Sequence, residues 1–314
     1  MNEDELLEMM GCAPEDGRAA SLPPLAVRVH RLTLSQALRV CGWARALPAV
    51  HVLADVTKYL EADRPPPETE AAAVAAGGMR SAVGAAAVLL LREQLQRHGL
   101  ESRVTFSEFT SQEMECRYPH LRHEVLDRWQ RKHLAWTNSH AYAYTAEGLV
   151  IDGLGVASAT APPQHCWVFE HDCDFSGDIG ELLAAYADDA ADLIAKELVP
   201  RERIATEWMW HDCCTPAFKD AYGAVRCCAH VHAFRISSRL LRALHVAATD
   251  GRIGYGEMSV PTICVGEGLE WRRLREEHIG DPFSPEHGMT KDAFECATTE
   301  GHTGQHRLYH ALKW

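Results

Sequence analysis

Imidazole and thiol side chains crowd one stretch of the sequence, where His211-Asp212-Cys213-Cys214 precedes Cys227-Cys228-Ala229-His230-Val231-His232. Zinc takes four such groups in tetrahedral array, commonly as two pairs from separate turns. One pair from His211, Cys213 and Cys214 and one from Cys227, Cys228 and His230 would hold a structural zinc ion. Neighbouring residues of an extended chain point to opposite faces, so Cys228 and His230 share a face that Cys227 does not. Cys214-Thr215-Pro216 supplies a turn for the first group, because Pro216 fixes the chain direction. The competing reading is of buried thiols and surface imidazoles. Two further stretches offer ligands. Cys296, His302, His306 and His310 recur in the tail, where His306 and His310 would pair on a helix. His171-Asp172-Cys173-Asp174 reads as a polar loop.

A second chemistry is written between Gly77 and Gly155. Gly77-Gly78 leads into a small-residue helix from about Ser81 to His98, followed by a strand over 102–106. Ser139–Thr145 and Leu149–Asp152 then alternate as two strands around Ala146-Glu147-Gly148. A hairpin closing there sets His140 against Asp152 to within a residue of register. A carboxylate so placed fixes the tautomer of an imidazole and leaves its other nitrogen free to act as a base.

This stretch, Gly-led helix followed by H-A-Y-A-Y and I-D, resembles the papain-like, transglutaminase-like superfamily over about residues 76–155. The resemblance implies an α+β core with a central helix packed on an antiparallel sheet. It also implies amide-directed chemistry, as a hydrolase or acyl transferase acting on a protein or peptide without a catalytic cofactor. His140 would be the general base and Asp152 its orienting group. The family's nucleophilic cysteine has no counterpart, since none occurs between Cys41 and Cys116, and Ser81 stands at the helix start instead. A hydroxyl there depends on its base and an oxyanion hole, whereas a thiol ionises readily. Ser81 therefore reads either as a serine nucleophile or as the N-cap of a degenerate, non-enzymatic binding protein. A third reading is a metal-dependent enzyme centred on residues 211–232. A rival histidine strand is His165-Cys166-Trp167-Val168, with Asp172 or Asp174 following.

The elements that must position these groups follow from periodicity and punctuation. Residues 1–30 read as a lead-in without period. Thr33 is an N-cap for a helix carrying Leu34, Ala37, Leu38 and Cys41, and a second helical stretch is expected around Val50–Leu60. Gly99 sits where a left-handed C-cap belongs. Cys166–Phe169 is a strand, and Leu182 to Leu198 follows helical spacing up to Pro200. Ser237–Ala248 is a helix, Asp250 to Glu257 a Gly-rich turn, and Thr262–Val265 a strand. Arg64-Pro65-Pro66-Pro67 and Pro200-Arg201 mark the breaks. They give a helical segment over 1–67, the papain-like unit over 68–200 and a Cys/His-rich domain over 201–314.

Composition bounds the rest. Lys and Arg total 31 against 44 Asp and Glu, a formal charge of −13. So acidic a chain repels phosphate backbones, and nucleic acid is not an expected partner. The acidic opening Met1-Asn2-Glu3-Asp4-Glu5 is unlike an export signal, and the uncharged run from Ser81 to Leu91 is too short to span a bilayer. A cytoplasmic protein with its 11 cysteines as thiols is expected.

Overall fold

The computed structural model describes residues 22–29, 32–55, 85–122, 164–200, 202–203, 212–283, 289–290, 292–294, 296 and 306–312. Helices and strands are mixed throughout. In chain order they are β1 (Leu25–Val29), α1 (Leu34–Ala46), β2 (Val50–Asp55), α2 (Ala85–Arg97), β3 (Val104–Phe109) and α3 (Ser111–Arg117). Then come β4 (His165–Glu170), β5 (Asp174–Phe175), α4 (Ile179–Ala184), β6 (Leu193–Ala195), α5 (Pro216–Tyr222) and β7 (Ala233–Ser237). α6 (Ser238–Thr249), α7 (Gly256–Gly266), β8 (Trp271–Arg273), β9 (Ile279–Phe283) and β10 (Leu308–His310) complete the series.

The chain divides into two compact units. The first comprises residues up to Glu108, Phe169–Asp189, and Arg275 onward; the second comprises Phe109–Val168 and Ala190–Leu274, continuing through Pro200.

In the first unit the strands run in the order β3-β2-β1. β1 and β2 are parallel, with Leu25 opposite Val50 and Val29 opposite Ala54, and α1 is the crossover that a parallel pair requires. Every residue of both strands is buried. This overturns two expectations: Leu25–Val29 is a core strand, not lead-in, and Val50–Asp55 is a strand, not a helix. Strands covered on both faces show no alternation, so periodicity does not announce them. α1 begins at Thr33 as expected, in a capping box: the Gln36 N–H donates to Thr33 Oγ1 (3.3 Å) and the Thr33 N–H to Gln36 Oε1 (2.9 Å). α1 packs on α2, which ends in the expected left-handed glycine. Gly99 has φ +64°, and the Leu100 N–H reaches back to the Leu95 carbonyl at 2.8 Å.

A three-stranded set, β5-β10-β9, completes this unit. Leu308 pairs with Phe175 and Tyr309 with Asp174, antiparallel. His310 therefore lies on a strand and not on the expected tail helix. Trp43 Nε1 donates to Asp174 Oδ1 at 3.1 Å and ties α1 to β5. His171-Asp172-Cys173 is a turn between β4 and β5, in keeping with the polar loop expected there, and within this stretch Cys173 and Asp174 are buried.

The second unit holds the order β4-β7-β6-β8. β6 is antiparallel to β7, with Leu193 opposite Ile236, and parallel to β8, with Leu193 opposite Trp271. α6 follows β7 directly, with the Ser237 hydroxyl accepting from the Leu240 N–H at 3.0 Å. Its buried residues Leu240, Leu241, Leu244, Ala247 and Ala248 form one stripe. Two expectations fail here. Leu182 to Leu198 is not one helix: α4 ends at Ala184, and the chain re-enters as β6. Asp192 sets that re-entry, its carboxylate accepting from Ser237 Oγ (2.6 Å), Arg239 Nη2 (2.6 Å) and the Glu270 N–H (3.1 Å). Thr262–Val265 belongs to α7, not to a strand; Met258 to Cys264 is buried on all sides, so no stripe distinguishes helix from strand. No helix of the described residues is long and apolar enough to cross a membrane.

Candidate metal centre

In the second unit an extended segment, Cys227 to His232, runs antiparallel to Val199. The Val199 N–H donates to the Cys228 carbonyl at 2.7 Å and the Cys228 N–H to the Val199 carbonyl at 2.9 Å. On the same two segments, Glu197 Oε1 lies 3.5 Å from His230 Nε2. Alternation then puts His232 on the face of His230. The two rings sit with centroids 5.5 Å apart and planes inclined by 33°.

The third group comes from the first turn of α7. The Ala229 N–H donates to the Glu257 carbonyl at 2.8 Å, pinning the histidine segment to the start of that helix. Glu257 Oε1 lies 3.5 Å from His232 Nε2, and both side chains are largely buried. An acidic residue there is favoured by the helix dipole, which steadies the carboxylate before any cation arrives. Ligand atoms of His230, His232 and Glu257 all lie within 4.8 Å of one another. Tetrahedral bonds of about 2.0–2.1 Å imply ligand atoms about 3.3 Å apart, so the 3.5 Å spacing of His232 and Glu257 needs only a small contraction around an ion. Two imidazoles and one carboxylate leave coordination positions open, the pattern of catalytic rather than structural sites. His230 and Glu197 are 22% and 34% exposed, so water reaches that side of the cluster.

Of the residues read from sequence, His230 belongs to this cluster. Cys213, Cys214 and Cys228 are not part of any ligand cluster among the described residues. Cys213 accepts through its carbonyl from the Tyr255 N–H (2.9 Å), and Cys214 bridges Gly254. All three side chains are buried, and every described cysteine is a free thiol. Burial raises the Cys214 thiol, against the pull of Lys219 and Arg226. It raises Cys228 further, helped by Cys227 and Glu257, and it pushes Cys227 up to about 11. Thiols held neutral in this way pack as small apolar groups. His211, Ser81, His140 and Asp152 lie outside the described residues.

Sequence reasoning missed Glu257 and Glu197, and it weighed His230 with Cys228 rather than with His232. The His-x-His alternation was legible. The carboxylates were not, because each reaches the histidines from a different element. The sequence matches no family model, and no curated protein matches it significantly.

Proposed function

We propose that the protein is a metal-dependent hydrolase, with a zinc-type divalent ion held by His230, His232 and Glu257 and with Glu197 as the adjoining base. The observation that carries this reading is the convergence of two imidazoles and a carboxylate from two segments fastened by one backbone hydrogen bond. A zinc ion held there would supply Lewis acidity, lowering the pKa of water at the site to about 7. Glu197, against the exposed flank of His230, would serve as the general base. A protein or peptide amide is the substrate class proposed, and it rests on the sequence resemblance alone. The papain-like core and a Ser81–His140–Asp152 centre stand as a separate proposal for residues outside those described.

Elemental analysis and chelation of the full chain test the metal reading. Zinc should be present, and His232→Ala and Glu257→Gln should each weaken its binding by more than the roughly 10–100-fold that loss of an outer-shell partner costs. Glu197→Gln should keep the metal and lose turnover of a peptide and ester panel. A protein that binds no zinc, or binds it equally well without His232 and Glu257, overturns the reading. Hydrolysis unaffected by Glu197→Gln overturns the role of that base.

A further inference from the structure

A second ligand cluster, Asp172, Cys173 and His310, lies in the first unit. β4 ends at Glu170, and the chain turns at once, the Cys173 N–H donating to the Glu170 carbonyl at 3.0 Å. β5 then pairs with β10. β10 runs one residue past the Tyr309–Asp174 pair to His310, and the Leu312 N–H closes the end on the Asp172 carbonyl at 2.8 Å. His310 Nε2 lies 3.4 Å from Asp172 Oδ1 and 3.6 Å from Glu170 Oε2. Ligand atoms of Asp172, Cys173 and His310 are all within 4.8 Å of one another.

The geometry points to a closed, structural zinc-type site formed by Asp172, Cys173 and His310, with Glu170 as fourth ligand, that fastens the β4–β5 turn to β10. Burial is the first argument. Cys173 and His310 are 0% and 2% exposed, as in sites that keep no open position for substrate. The second argument is orientation. Arg28, wholly buried, donates to Glu170 Oε1 at 2.9 Å, which leaves Oε2 turned toward His310; an outer-shell partner fixes a carboxylate ligand in this way. The third is charge. Glu170, Asp172 and a Cys173 thiolate supply three negative charges, and Arg28 with a divalent ion supplies three positive ones. Binding releases the Cys173 proton, and any proton on the His310 Nε2 atom, to solvent. The bland alternative is an imidazolium ion pair between His310 and the two carboxylates with an inert thiol beside it.

Cobalt(II) added alone to the metal-free full chain separates the two, because only thiolate ligation gives a sulfur-to-cobalt charge-transfer band in the near ultraviolet. We expect such a band with the intensity of one thiolate, lost in Cys173→Ser and in His310→Gln, and unchanged in His230→Ala. The last variant also keeps this test distinct from the hydrolase reading, whose site contains no thiolate. Absence of the band in wild type at saturating cobalt overturns the inference without any variant. A band worth several thiolates, or one that survives Cys173→Ser, overturns it too.

Discussion

His51 gives the sharpest energetic prediction. It sits on β2 opposite Ala26, 1% exposed, with Nδ1 in contact with the Thr105 hydroxyl. Burial lowers its pKa from 6.5 to about 4. A histidine held neutral in the native state leaves the unfolded chain as the better proton acceptor. The stability it contributes is therefore fully present above the unfolded value and is lost as pH falls through that value toward the folded one. With 1.36 kcal/mol for each pKa unit, the limiting loss is about 3 kcal/mol below pH 4. Between pH 7 and pH 5 the loss is about 2 kcal/mol. Many carboxylates also titrate in acid, so the assay is a comparison: urea denaturation of wild type and His51→Gln at both pH values. The variant has no ring to protonate, and its deficit relative to wild type should shrink by about 2 kcal/mol on going to pH 5. A stability difference that stays constant with pH would refute the reasoning, because it would mean that His51 protonates as readily in the folded strand as in the unfolded chain.

Three further perturbations follow from the packing. Asp192→Asn keeps the shape of the hub but removes the charge that Ser237, Arg239 and the Glu270 N–H address; a loss of about 2–3 kcal/mol is expected by chemical denaturation. Burial works against the Asp192 carboxylate, but Arg239 and Ser237 outweigh it and hold the pKa below its ordinary value. Its stabilisation is thus present above the usual carboxylate range and lost in acid as pH falls through the folded pKa, so wild type and Asp192→Asn should converge at low pH. Gly251→Ala forces φ +80° on a residue with a side chain and sets its Cβ 2.7 Å from His120 Cγ; a cost of at least about 1–2 kcal/mol should appear as a lower melting temperature, and an unchanged one would show that the turn relaxes. Leu240→Ala, at a fully buried position of α6, should cost about 2–5 kcal/mol. Val246→Ala, 47% exposed on the same helix, should stay within about 0.5 kcal/mol.

Local signals told the truth where the answer was local. Thr33 with Gln36, Gly99 after Arg97, and Ser237 before the α6 stripe each specify a helix end through atoms within a few residues, and the structure keeps all three. The errors share a different cause. β1, β2 and α7 are buried on every side, so their apolar residues carry no period and neighbouring elements decide between strand and helix. Leu182 to Leu198 failed for another reason. Its apolar spacing is helical by accident, while Asp192 recruits Ser237, Arg239 and Glu270 from far along the chain to open a strand.

Ligand convergence obeys the same division. Within one extended segment, alternation correctly sets side chains on a common face, and His230 shares its face with His232. Everything else in either cluster is a matter of register between separate elements. Val199 against Cys228 delivers Glu197, the Ala229–Glu257 hydrogen bond delivers the carboxylate of α7, and Tyr309 against Asp174 delivers Cys173 to His310. Those pairings join residues from about 30 to more than 130 positions apart, and a shift of one residue in any of them would turn the ligand to the opposite face. The cysteine pairs that dominate the composition join no ligand cluster among the described residues. Thr262 Oγ1 bonds the Cys227 backbone on both sides, accepting from its N–H at 3.0 Å and donating to its carbonyl at 2.8 Å, and it also lies 3.9 Å from the buried sulfur. Among the described residues, the groups whose ligand atoms converge draw on single carboxylates that only the fold brings to the histidines.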